Sequence, residues 1–310
     1  MVDFLGKDVL STKALSKSEI EKVMSTAEGF FLYANKEKTT DILKEKLMAS
    51  LFYEPSTRTK LSFESAMQRL GGSVVSVVGI ESSSLAKGET LSDTAKVVET
   101  YADVIAVRHS QPGAPREMAD AIDIPVLNAG DGAGEHPTQA LLDLFTILNE
   151  RGKVDGLTIA LVGDLKYGRT VHSLAYLLAH YDVSLLLVSP DQLKMPAQVT
   201  DDLAEKGVVF SETEDFEESL KQADVCYMTR IQKERFTDPA EYDRFKDVYV
   251  LTKELVEQTN PEMTIMHPLP RVGEISLNVD ELPGAAYFRQ MRNGVAVRMA
   301  LLSLVLGAEL

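Results

Sequence analysis

Pro55-Ser56-Thr57-Arg58-Thr59-Lys60 gathers three hydroxyls and two cations within six residues. Leu61, Ala66, Met67 and Leu70 then fall on one helical stripe ahead of Gly71-Gly72. The cluster therefore opens a helix, with Ser56 or Thr57 placed to cap it. Cations in a first turn oppose the helix dipole, which favours acids there. Hydroxyls, backbone N–H groups and cations converging on a helix start suit an anion, and a phosphate above all. The plainer alternative is a capped helix whose Arg58 and Lys60 point to solvent.

Further polar groups stand where strands end or helices begin. Arg108-His109-Ser110 follows the apolar run Val104 to Val107, so Arg108 can offer its fork to an anion with two oxygens. Gly130-Asp131-Gly132-Ala133-Gly134-Glu135 delivers His136 and Gln139 to a helix start, where Pro137 suits the first position. Three apart, they share a face. A histidine N–H there can polarise a carbonyl, and the Gln139 amide oxygen can accept from an NH2. The plainer alternative is a capping turn with a surface histidine.

The second half repeats this placement. Gly163-Asp164-Leu165-Lys166-Tyr167-Gly168-Arg169 follows an apolar strand but lacks the Gly-x-Gly-x-x-Gly spacing of a dinucleotide loop. Arg169 suits a carboxylate, either a ligand's or that of Glu54. Arg230 and Gln232 follow the run Val225 to Met228. In His267-Pro268-Leu269-Pro270-Arg271 two prolines stiffen a backbone whose carbonyls can accept from an NH2. A cis bond is expected before Pro270. Ser82 to Thr90 is a polar loop whose Lys87 would, by itself, simply face solvent.

These segments together resemble the aspartate and ornithine carbamoyltransferases, with matches from about Leu51 to Arg271. The resemblance implies that Ser56, Thr57, Arg58 and Thr59 hold the phosphate of carbamoyl phosphate. It implies that Arg108 touches both the phosphate and the carbonyl oxygen. His136, Gln139 and the backbone of Pro268 and Leu269 would hold the carbamoyl group, and Arg58, Thr59, Arg108 and His136 would form the catalytic set. Arg169 would bind the amino acid's α-carboxylate, and Arg230 with Gln232 its side-chain carboxylate. Lys87, with Ser84 preferred to Ser83, would enter a neighbouring subunit's site and reach the aspartate there. Ornithine enzymes carry a cysteine where Pro268 stands and a Ser-Met-Gly segment; neither occurs here. Aspartate is therefore the expected acceptor, giving N-carbamoyl-L-aspartate and phosphate, a step of pyrimidine synthesis. No metal, organic cofactor or covalent nucleophile is implied. The family also implies a homotrimer with shared sites. Lys166, Tyr167 and Glu241 match positions of subunit and loop contacts, and Gln111 to Arg116 the region that meets a regulatory chain. The alternatives are a carbamoyltransferase for another acceptor such as ornithine, and an α/β anion-binding module without catalysis.

Positioning so many groups requires a large scaffold. The 310 residues, 45% hydrophobic and 25% charged, suffice for two globular domains. A net charge of −15 argues against nucleic-acid binding, and obliges anionic substrates to rely on local cations. No apolar run approaches the ~18–20 residues of a membrane span. The N-terminus carries no signal pattern. The single Cys226 excludes an internal disulfide framework. A cytoplasmic protein without a membrane or nucleic-acid partner is expected.

Strand and helix patterns alternate along the chain. Strands are expected at Leu47 to Phe52, Ser73 to Val78, Val104 to Val107, Val126 to Asn128, Thr158 to Val162, Ser184 to Val188, Val208 to Phe210, Val225 to Met228 and Thr264 to Met266. Helices are expected at Ser18 to Asn35, Leu91 to Tyr101, Pro137 to Glu150, Thr170 to Ala179 and Gly294 to Leu306. The class is α/β: two doubly wound parallel-sheet domains joined by long interdomain helices. Residues 1–134 would bind carbamoyl phosphate, with the helix at 292–310 packing back onto them, and residues 135–291 would bind aspartate. Ligands of doubly wound sheets sit beyond the strands' carboxyl ends. The motifs lie there, and are expected to share one cleft between the domains.

Overall fold

Apolar runs such as Leu47–Phe52 and Leu157–Val162 suit strands buried on both faces, as a parallel sheet covered by helices requires. The computed structural model describes residues 4–81, 83–231, 239–245 and 247–310. It divides into two units, Met1–Phe145 with Met291–Leu310, and Thr146–Gln290. Gln232 and the Glu241 side chain, both singled out by the sequence, lie outside the described set.

The first unit opens with α1 (Lys17–Gly29), α2 (Phe31–Ala34), β1 (Leu47–Phe52), α3 (Thr57–Arg69) and β2 (Ser73–Val78). It continues through α4 (Leu91–Glu99), β3 (Val104–His109), α5 (Ala114–Ala119), β4 (Val126–Asp131) and α6 (Pro137–Arg151), in which the chain passes to the second unit. The sheet is wholly parallel, in the order β2-β1-β3-β4. The chain thus winds outward from β1 in both directions, and β1 beside β3 is the switch point. The helix expected over Ser18–Asn35 is two helices. α1 starts on a Ser16–Glu19 capping box and stops at Gly29, a residue that weakens helices, before the buried Phe30. In α3 the buried residues are Thr59, Phe63, Ala66 and Met67, followed by Leu70, whereas Leu61 is 57% exposed. The stripe therefore runs through Phe63, four residues after Thr59, and not through Leu61.

The second unit contains β5 (Leu157–Val162), α7 (Arg169–Leu178), β6 (Val183–Val188), α8 (Ala197–Glu205) and β7 (Val209–Thr213). After these come α9 (Phe216–Gln222), β8 (Val225–Met228), α10 (Pro239–Phe245), α11 (Lys253–Thr259) and β9 (Thr264–Met266). Its sheet is also wholly parallel, in the order β7-β6-β5-β8-β9. The switch point lies between β5 and β8. There the Thr229 N–H and hydroxyl both donate to the Val162 carbonyl, at 2.8 and 2.9 Å. Gly163 has φ +116, and a Cβ on it would sit 2.3 Å from the Thr229 carbonyl oxygen, so only glycine allows this approach.

The chain returns to the first unit in α12 (Tyr287–Val305). This helix begins at Tyr287, ahead of the expected Gly294. Its first turns bury Tyr287, Gln290 and Asn293, whose polar atoms hide them from a search for apolar periodicity. No helix among the described residues is long and apolar enough to cross a membrane.

Candidate active site

In the first unit, Ser56 occupies the N-cap of α3 with an extended backbone, yet its side chain makes no capping bond. No acid stands in the first turn. Arg58 is exposed and Thr59 buried. The helix start thus keeps hydroxyls and a cation beside its N–H groups, as an anion site requires. Lys60 does not join them. It pairs with Glu64 at 2.7 Å, one helical turn on, and the Ser76 hydroxyl donates to the same carboxylate.

Arg108 lies on β3 beside Phe52 of β1 and is buried. Its Nη1 donates to the Ala129 carbonyl at 3.3 Å, and its Nη2 lies 3.3 Å from Glu54 Oε1. A backbone carbonyl and a carboxylate therefore fix this guanidinium at the carboxyl edge of the sheet. Next to it the His109 ring accepts the Gln111 N–H on Nδ1 at 3.0 Å and meets Tyr53 edge-on. Burial pushes His109 below the ordinary histidine range, against the pull of Glu117 and Glu54.

The turn before His136 is held by residues that sequence reading passed over. Asp131 accepts the N–H groups of Glu135 and Gly113, at 2.6 and 2.9 Å. Glu135 accepts the Ser11 hydroxyl at 2.5 Å and both the N–H and hydroxyl of Thr12 at 2.7 Å. Gly132, at φ +53, lets the turn pass where a Cβ would meet the Ser110 carbonyl at 2.0 Å. The buried His136 then opens α6, its carbonyl accepting from the N–H of Gln139 and Ala140. Gln139 Nε2 donates to Asp143 Oδ1 at 2.8 Å. A carboxylate accepts only, so the Gln139 oxygen is turned away from it and presents an acceptor.

A buried arginine supports this arrangement from behind. Arg298 Nη1 donates to the Ser62 hydroxyl of α3 at 2.8 Å, and the guanidinium lies over the Phe63 ring at 5.0 Å. Burial pushes the guanidinium down to about 10, with Asp143 opposing the shift. Replacing Arg298 by Met should leave the Asp143 carboxylate buried without this counter-charge. We expect a loss of about 3 kcal/mol in stability, read from urea unfolding.

In the second unit Arg169 is the first residue of α7 and is half-buried. The preceding turn is fixed at two points. The Tyr167 N–H donates to Asp164 Oδ1 at 2.9 Å, and His172 Nε2 donates to the Leu165 carbonyl at 2.6 Å. Lys166 is exposed and lies over the Tyr167 ring. Arg230 follows Thr229 and is half-buried. Pro268 and Leu269 follow β9, and the Leu269–Pro270 bond is cis.

The sequence candidates therefore fall into three groups. The adjacent strands β1, β3 and β4 bring the segments of Arg58, Arg108 and His136 to one edge of the first sheet. The adjacent strands β5, β8 and β9 bring those of Arg169, Arg230 and Leu269 to one edge of the second. Ser84 and Lys87 stand apart on an exposed 3-10 turn, Ser84–Lys87, while the Ser83 hydroxyl donates to the Ile80 carbonyl at 2.7 Å.

Comparison with known proteins agrees with this division. Residues 7–149 match the carbamoyl-phosphate-binding domain of aspartate/ornithine carbamoyltransferases, and residues 155–305 their Asp/Orn-binding domain. An aspartate carbamoyltransferase catalytic subunit of Leptospira biflexa is 52% identical over 309 residues, covering 100% of this chain and 99% of that one. The corresponding subunit of Thermococcus kodakarensis is 53% identical over 306 residues, covering 99% of each. Among solved structures, Trypanosoma cruzi aspartate transcarbamoylase in complex with carbamoyl phosphate and aspartate superposes with a TM-score of 0.91. It is 44% identical, with 98% of each chain covered. The catalytic subunit of M. jannaschii aspartate transcarbamoylase gives 0.90 at 47% identity, covering 97% of this chain and 99% of that one. With both domains matched in order and relatives about half identical along the whole chain, the chain belongs to the aspartate/ornithine carbamoyltransferase family.

Proposed function

We propose that the chain transfers the carbamoyl group of carbamoyl phosphate to the α-amine of L-aspartate, giving N-carbamoyl-L-aspartate and phosphate. The observation that carries this reading is the direction of Gln139. With its nitrogen on Asp143, it offers an acceptor where a bare phosphate site would need only donors. The names of the Leptospira and Thermococcus relatives, and the ligands of the Trypanosoma structure, support the same choice.

Ser56, Thr57, Arg58 and Thr59 receive the phosphate at the start of α3. Thr59, Arg108 and His136 donate to the carbamoyl oxygen, while Gln139 and the carbonyls of Pro268 and Leu269 accept from its NH2. Arg169 binds the α-carboxylate of aspartate, and Arg230 with Gln232 its side-chain carboxylate. The amine nitrogen attacks the carbamoyl carbon, whose oxygen gains negative charge among its three donors. The bond from that carbon to the phosphate oxygen then breaks, and the amine proton leaves on the phosphate. Rate comes from positioning two reactants and from donors fixed before charge develops. Cys226, fully buried in β8 with its thiol pushed up by burial, takes no part.

In the same reading three copies form a cyclic homotrimer in the cytoplasm, each lending Ser84 and Lys87 to a neighbour's site. The exposure of both residues supports this, as do Val75 and Val78, exposed on the edge strand β2.

The acceptor assignment is tested at Arg230. Arg230→Ala should raise KM for aspartate about thirtyfold, because a carboxylate left without its charge-assisted partner loses about 2 kcal/mol or more. Carbamoyl phosphate binding should be unchanged. Equal damage to both substrates, or wild-type turnover with ornithine in place of aspartate, would overturn the assignment.

A further inference from the structure

Leu269 has φ +55, in the left-handed region, where a residue with a branched side chain stays only if its surroundings hold it. The hold is two residues away. His267 Nδ1 accepts the Leu269 N–H at 2.7 Å. With Nδ1 accepting, the ring is neutral and its proton is on Nε2, which donates to Glu274 Oε1 at 2.7 Å. The other Glu274 oxygen accepts the N–H groups of Val272 and Gly273, at 3.1 and 3.0 Å. The His267 N–H donates to Gln290 Oε1 at 3.0 Å. Both His267 and Glu274 are buried. Burial alone would raise the Glu274 carboxyl, but the bonds from His267 and the backbone outweigh it and hold it below the ordinary carboxylate range. A permanent anion thus fixes the ring's tautomer, and the tautomer fixes the backbone of Leu269.

We infer that His267 is a positioning residue for carbamoyl transfer. Its Nδ1 holds Leu269 in the left-handed conformation, so that the Pro268 and Leu269 carbonyls face the carbamoyl NH2. The catalytic half of this inference rests on the function proposed above; the conformational half does not. A buried histidine serving only as the partner of Glu274 would have the same burial and the same Nε2 bond. The two roles separate by which nitrogen matters.

His267→Gln can keep a donor toward Glu274 but has no acceptor at the Nδ1 position. His267→Asn places its Oδ1 near that position and gives up the donor. The expected order is therefore the reverse of side-chain similarity. His267→Gln should lower kcat about tenfold to a hundredfold, the scale of a small misplacement of a reacting group. Its KM for aspartate should stay near the wild-type value. His267→Asn should keep most of kcat, even where its thermal midpoint falls. Near-normal kcat in His267→Gln together with an inactive His267→Asn would overturn the inference. Two measurements decide the conformational half without activity. Nitrogen NMR of the wild-type ring should show the neutral Nε2–H tautomer, and an Nδ1–H tautomer or an imidazolium would overturn it. A crystal structure of His267→Gln should show Leu269 out of the left-handed region, and positive φ there would equally overturn it. If the wild-type protein forms no N-carbamoyl-aspartate, the proposed function fails and takes the catalytic half with it. The tautomer and the Leu269 backbone then still decide the conformational half.

Discussion

Arg58→Ala should lower kcat by about 10²–10³, the loss that follows from deleting one donor fixed in advance at a developing charge. Arg58 stands in the first turn of α3, where the dipole already favours an anion, and no acid in that turn competes for it. Its guanidinium can follow negative charge onto the phosphate as the carbon–oxygen bond lengthens. Most of the loss should therefore fall on kcat, with less on the KM for carbamoyl phosphate. Stability should hardly change, because Arg58 is exposed and a first-turn cation gains nothing from the helix. Arg58→Lys keeps the charge but not the two-pronged geometry, and should fall between wild type and Arg58→Ala. Near-normal turnover in Arg58→Ala at an unchanged thermal midpoint would remove the phosphate assignment.

The net charge of −15 makes this result more informative. The overall field repels both substrates, so each must be captured by local cations that the fold holds in place. Arg108 beside Glu54 has this arrangement. The carboxylate and the Ala129 carbonyl together set the orientation of the guanidinium. Lys60 shows the opposite outcome, since Glu64 binds it along the helix and takes it out of the anion site.

Much of this was legible in the residues themselves. All nine expected strands are present; seven are mostly buried and read as plain apolar runs, whereas the edge strands β2 and β7 are largely exposed. The helix starts at Thr57 and Pro137 were equally visible, being marked by hydroxyls and by proline. The Lys60–Glu64 pair was also readable from its four-residue spacing, but the motif drew attention to the cation alone. The residues that steady the site were hidden for a different reason. Ser11 and Thr12 reach Glu135 across more than a hundred positions, and Arg298 reaches Ser62 across 236. No local pattern marks such pairs, and a buried arginine in a helix looks like a surface one until its neighbours are known. Glu274 lies only seven residues from His267. Its role follows from the turn at Leu269, and a string of letters does not contain that backbone.

The proposal that sites are shared between copies predicts activity from two inactive proteins. If Lys87 of one chain enters its neighbour's site, Arg58→Ala and Lys87→Ala trimers each lack one essential group in every site, and both should be nearly inactive. Dissociating the two, mixing them equally and letting trimers reform gives sites drawn from two chains at random. A working site needs an intact Arg58 on one chain and an intact Lys87 on the next, each present in about half the chains, so about a quarter of sites should recover. The geometry supports the trans arrangement because Lys87 sits on an exposed turn, Ser84–Lys87. Ser84 should behave in the same way but more weakly, as a neutral donor in place of a charge. Recovery near a quarter places Lys87 in trans. Hybrids shown to have formed, yet without activity, would return Lys87 to its own chain or to solvent, and the shared-site trimer would fall with it.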